Sequence, residues 1–121
     1  MSRMVDDKGR RPVMAQIRRG AIEYCVLALL RDGGEQYGFD LVRQLAAADE
    51  LVTSEGTIYP LLTRLRQEGL VVTTWRESTQ GPPRRYYQIT REGKAALETF
   101  IDQWVRFRSA VDRLLGTGGA S

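Results

Sequence analysis

The spacing of the apolar residues changes twice along this chain, and those changes restrict its fold more than any single residue does. Up to residue 68 apolar side chains recur at helical intervals. They then give way to two runs rich in β-branched and aromatic residues, VVTTWRES (71–78) and RRYYQIT (84–90). From 91 to 115 the helical period returns. Leu97, Phe100, Trp104, Phe107, Val111 and Leu114 are spaced 3, 4, 3, 4 and 3 apart, an a/d heptad pattern. The predicted order is three helices, a two-stranded hairpin and a long helix. The fold class expected is mainly α (α+β), a winged helix-turn-helix with a C-terminal dimerisation helix.

Each segment has its own signals. QIRRGAIEYCVLALLR (16–31) is apolar on nearly every side after Gly20, which suits a helix buried by neighbours all round, and Asp32-Gly33-Gly34 stops it. YGFDLVRQLAA (37–47) carries Phe39, Leu41, Val42 and Leu45 and predicts a short amphipathic helix, followed by a loop over 48–53. In SEGTIYPLLTRLRQEGL (54–70), Ser54 is an N-cap, an effect of about 1 kcal/mol. Ile58, Leu61, Leu62 and Leu65 form the core face, and Gly69 takes the C′ position that glycine favours. TQGPP (79–83) predicts a hairpin turn too long for a two-residue type. The expected organisation is a flexible basic arm over 1–14, a DNA-reading domain over 15–90, a dimerisation helix over 91–115 and a disordered tail over 116–121.

The inventory of reactive side chains excludes several functions. There is no histidine, and the one cysteine, Cys25, lies in an apolar run, so a disulfide framework, a zinc site of the usual kind and a His-based triad are ruled out. No paired carboxylates or phosphate-cradling glycine loop stand at usable spacing, so neither an enzyme nor a cofactor is expected. The longest apolar run, YCVLALL (24–30), is too short to span a bilayer, and no signal peptide is expected. The chain is read as cytoplasmic.

Charge is unevenly spread. Residues 1–20 hold six basic and two acidic side chains, 21–53 two and six, and 54–90 five and three. Two basic regions flank an acidic one, which points to a polyanionic partner. The front of the third helix is the natural reader. Pro60 removes one helical N–H and bends the first turn. Gly56 allows close backbone approach, while Thr57 and Tyr59 present hydroxyls near a helix N-terminus that favours phosphate. In the hairpin, alternation puts Arg85, Tyr87 and Ile89 on one face and Arg84, Tyr86 and Gln88 on the other. An arginine-bearing tip beside a groove-reading helix can reach phosphate or a narrow minor groove. The plainer alternatives are a surface helix with Tyr59 packed on a neighbour, and an arginine paired with Glu77.

The runs GTIYPLLTRLRQEGLV, WRES and GPPRRYYQITREG, with LALLRDGGEQYGFDL upstream, resemble the PadR family of bacterial transcriptional regulators over roughly residues 16 to 97. The resemblance implies a dimeric, ligand-responsive repressor that binds double-stranded DNA. Its recognition-helix contacts would fall on Thr57, Tyr59 and Arg64, and its wing contacts on Arg84 and Arg85. Glu55 stands where the family commonly has Pro, and a carboxylate there would repel a nearby phosphate.

The last helix is too short to be stable alone and must pack on its own domain or on a partner's copy. The homodimer interface expected is Leu97, Phe100, Ile101, Trp104, Val111 and Leu114. Some smaller members of the family hold flat aromatic compounds between paired Trp residues, which makes Trp104, with Phe107, the candidate effector site. The competing class is a winged-helix module that docks proteins and reads no DNA.

Overall fold

The computed structural model describes residues 21–47 and 55–118, apart from the side chains of Glu55 and Thr57. The arm over 1–14 and the cap at Ser54 lie outside the described residues.

Helix α1 is described over 21–33 and ends where Gly34 turns to φ +74 and donates its N–H to the Leu30 carbonyl at 3.0 Å. Ile22, Val26, Leu27 and Leu30 are buried, and Tyr24, Cys25, Ala28 and Leu29 pack around them half-buried. The nearly all-round apolar surface of this helix is thereby used. Strand β1, Gln36–Tyr37, follows, then α2, Gly38–Ala46. Tyr37, expected to open a helix, instead pairs with Tyr86, and Gln36 with Tyr87. Two strand residues carry no readable period, which is why the sequence did not reveal them. In α2, Leu41, Val42 and Leu45 are buried, whereas Phe39, expected on the same face, stands out beside Tyr37.

Helix α3, Glu55–Gln67, buries Ile58, Leu61, Leu62 and Leu65, the face expected of it. Gly69 at φ +78 closes it. Its N–H bonds to the Arg66 carbonyl and the Leu70 N–H to the Leu65 carbonyl, each at 3.0 Å, and Leu70 packs on the core. This paired 5→2 and 6→1 closure is the Schellman arrangement, which needs a left-handed residue at that place.

Strands β2, Val71–Ser78, and β3, Gly81–Ile89, form an antiparallel hairpin, and β1 adds to the free edge of β3. The turn holds only Thr79 and Gln80, a correction to the longer loop expected from the two prolines. Ser78 pairs with Gly81 and Arg76 with Arg84, so Pro82 and Pro83 together oppose the single Glu77. A bulge accommodates an unpaired residue, and prolines are tolerated there because no ladder N–H is required.

Helix α4, Arg91–Leu115, starts at Thr90, whose hydroxyl accepts from the Gly93 N–H at 2.9 Å and donates to the Gly69 carbonyl at 2.7 Å. One side chain thus caps α4 and ties its start to the end of α3. Among the described residues, α4 enters the core through Gly93 and Leu97 in its first turns. Leu97 is 2% exposed, already covered by its own domain, and so is removed from the expected dimer interface. At the far end, Gly116 adopts φ +72 and Thr117 bonds back to Asp112, so residues 116–118 of the expected tail form an ordered helix stop; 119–121 lie outside the described residues.

Candidate nucleic-acid interface

The surface of α3 opposite its core face begins with Gly56, Tyr59 and Pro60, all exposed. Tyr59 is 37% exposed, because its ring leans on α2. A Cβ built at Gly38 would lie 3.2 Å from Cε1 of Tyr59 and 3.2 Å from Cε1 of Tyr87. Gly38 is therefore a seat between two tyrosine rings, one on α3 and one on the sheet. The Tyr-Gly pair noted in the sequence acquires its reason here. Thr63 is turned inward: its hydroxyl donates to the Tyr59 carbonyl at 3.1 Å, four residues back along a helix already loosened by Pro60.

Arg64 lies farther along the same helix and is drawn toward α1. Its Nε donates to Oε2 of Glu23 at 2.9 Å, and Nη2 donates to the same oxygen. The arginine side chain is still 49% exposed, against 20% for the glutamate.

On the hairpin, the observed register sets Val71, Thr73, Trp75, Arg85, Tyr87 and Ile89 on one face and Val72, Thr74, Arg76, Arg84, Tyr86 and Gln88 on the other. Tyr87 and Ile89 are buried, as expected. Arg84 and Arg85 therefore leave the wing on opposite faces. Each rests on an aromatic ring: the Arg84 guanidinium lies 4.7 Å from the Tyr37 ring centre, and Arg85 4.7 Å from that of Trp75. Arg85 Nε is buried and has no hydrogen-bond acceptor. The guanidinium that carries it lies over the electron-rich face of the Trp75 indole. Arg76 stacks over Tyr86 at 5.3 Å and pairs with Glu35.

The structure thus brings Tyr59 and the Tyr87 face together at Gly38, holds Arg64 against α1, and splits the two wing arginines between the faces of one finger. Sequence reasoning missed the aromatic supports Trp75, Tyr37 and Tyr86 and the acidic partners Glu23 and Glu35. Trp75 was findable by cross-strand pairing once the register was known. The pairs Glu23–Arg64 and Glu35–Arg76 span 41 residues each, and nothing local announces them.

Beyond the wing, α4 carries a ladder of rings. Tyr24 of α1 stacks on Phe100 with centroids 4.0 Å apart, Phe100 on Trp104 at 5.9 Å, and Trp104 meets Phe107 at 6.4 Å. Trp104 is 38% and Phe107 63% exposed; Ile101 and Leu114 are also exposed, and Val111 is half-buried. Burial pushes the Cys25 thiol above its ordinary pKa, so it stays protonated and is a poor nucleophile. Among the described residues no group of acidic or cysteine side chains could hold a metal ion, and no helix is long and apolar enough to cross a membrane.

Known proteins share this arrangement. Residues 26–99 match the model of the transcriptional regulator PadR-like family. A transcriptional regulator of Mycobacterium tuberculosis is 37% identical over 84 residues, 69% of this chain and 76% of its own. Among solved structures, a PadR family transcriptional regulator from Eggerthella lenta superposes with a TM-score of 0.81 at 33% identity, covering 94% of this chain and 98% of that one. A PadR-like transcription factor from Bacteroides fragilis gives 0.72 at 40% identity, over 85% and 98%. Each of these is named as a regulator of transcription, and the two solved structures share this chain's fold. The chain belongs to the PadR-like family of transcriptional regulators.

Proposed function

We propose that this regulator is a repressor that binds an inverted-repeat operator as a homodimer. The front of α3, with Thr57 and Tyr59, enters the major groove; Arg64, Arg84 and Arg85 supply phosphate and groove-edge contacts. The long arm of α4 pairs with a second copy. The observation that carries this reading is the stripe on α4 beyond Leu97. Ile101, Trp104, Phe107, Leu114 and Leu115 are all exposed, on a helix that among the described residues enters the core only near its start. A helix with one apolar stripe is stable only when that stripe is covered, and a symmetric copy offers the matching surface. Phe100 and Val111, half-buried in one chain, border the same seam. Two-fold pairing sets two reading helices on one face of DNA, which requires a symmetric site. The experiment is recovery of bound sequences from random DNA.

The same stripe supports an effector site. Trp104 and Phe107 meet as a tilted pair, 38° between their planes, and stand partly open, and a two-fold axis nearby would bring a second pair of rings to face them. A flat aromatic compound would stack there and change the angle between the reading helices. In a Trp75→Phe background, such compounds are expected to quench Trp104 fluorescence, and Trp104→Ala is expected to remove their effect on DNA binding while the dimer persists. Operator release by the same compounds in Trp104→Ala would contradict the assignment.

A further inference from the structure

The acidic segment 21–53 has no part in the reading given so far, yet two of its carboxylates lie against arginines of the basic region that follows. Glu23 holds Arg64, and Glu35 holds Arg76. At Arg64 the geometry is informative. Both bonds fall on a single oxygen, Oε2, so they engage two of the five guanidinium N–H groups, on a side chain that is still half open to solvent. The glutamate is the more covered partner, at 20% exposed, and the arginine the more open, at 49%. A phosphate arriving from solvent would meet the guanidinium before the carboxylate, but would meet it as half of a neutral pair.

We infer that Glu23 is a specificity-determining residue that acts through Arg64, cancelling its charge toward phosphate in general while fixing its direction for one bound geometry. This rests on the DNA-binding role proposed above. Nonspecific affinity grows with each phosphate that a free cation neutralises, and a cation already paired with a carboxylate contributes little to that sum. A contact that depends on direction is kept, because the guanidinium is held in place while half of its side chain surface stays open to solvent. Glu23 therefore lowers the background more than it lowers operator affinity, and widens the ratio between them. Glu35 beside Arg76 shows the same pairing on the wing.

Glu23→Gln keeps the side-chain length and a polar end group while removing the charge, and a partly exposed ion pair adds little to folding, so the full-length variant remains folded. Affinity for a selected operator and for its scrambled version is measured across salt concentrations. For the variant, scrambled-DNA binding is expected to tighten. Its log K against log salt should steepen by about 1.8, one added phosphate contact from each subunit of the dimer, so it loses roughly twelvefold more affinity than wild type between 50 and 200 mM salt. The operator-to-scrambled ratio should narrow. In an Arg64→Ala background the same substitution should change neither quantity. An unchanged slope and ratio, a loss of affinity for both DNAs, or an effect that persists without Arg64 would each overturn the inference. If wild type itself fails to separate operator from scrambled DNA, it is the DNA-reading role that fails.

Discussion

A methyl group at Gly93 would lie 2.2 Å from the Leu70 carbonyl oxygen and 2.8 Å from Cγ1 of Ile89. The first contact is with backbone, which cannot swing aside as a side chain can. The same Leu70 carbonyl accepts the Thr90 N–H at 3.1 Å, so the close approach is where α3, β3 and α4 are joined. Gly93→Ala is expected to destabilise the fold by about 1–3 kcal/mol, the usual cost of forcing a methyl into a packed site, read as a lower urea midpoint. A stability equal to wild type would show that the junction is looser than described. The sequence displayed Gly93 within the REG run but gave no reason for it. The reason is a carbonyl 23 positions earlier, and only the folded chain supplies it. Tyr59 shows the same division. Its exposed position on α3 was legible from the 3–4 spacing of Ile58, Leu61, Leu62 and Leu65, while its lean onto Gly38 depended on where α2 comes to rest.

Among the elements, those with long uninterrupted periods were legible to the residue. Helix α4 and strand β2 have the bounds that their patterns indicate, Arg91–Leu115 and Val71–Ser78. The wing tip was not, because Gly81, Pro82 and Pro83 carry turn chemistry and yet sit in a bulged strand. The wing's mechanism depends on that strand. Since the pleat sends Arg84 and Arg85 to opposite faces, the finger presents a cation on either side, each steadied by a ring from another strand. Replacing both by Ala is expected to weaken binding to every DNA sequence alike. It should also make the salt slope shallower by about 3.6, the effect of losing two phosphate contacts from each subunit of the dimer. Retention of the full slope by Arg84→Ala/Arg85→Ala, measured by fluorescence anisotropy over a salt series, would place the phosphate contacts elsewhere.

At the scale of the whole molecule, α4 is a 25-residue helix, about 37 Å long, which among the described residues is anchored through Gly93, Leu97 and the stack of Phe100 on Tyr24. Its heptad spacing was visible in the sequence. What the sequence did not separate was the division of that seam: Leu97 belongs to the chain's own core, and the seam available to a partner starts at Phe100 and Ile101. The ring ladder from Tyr24 through Phe100 to Trp104 continues the core outward into that seam, linking the reading domain mechanically to the surface proposed for pairing. If the pairing is two-fold, symmetry passes from protein to DNA. Selection of bound fragments from random DNA by the full-length chain tests this most directly. The account predicts an enriched inverted repeat whose half-sites are centred about 10–10.5 base pairs apart, or a multiple of that. A single unpaired half-site, a direct repeat, or no enrichment over the starting pool would contradict it.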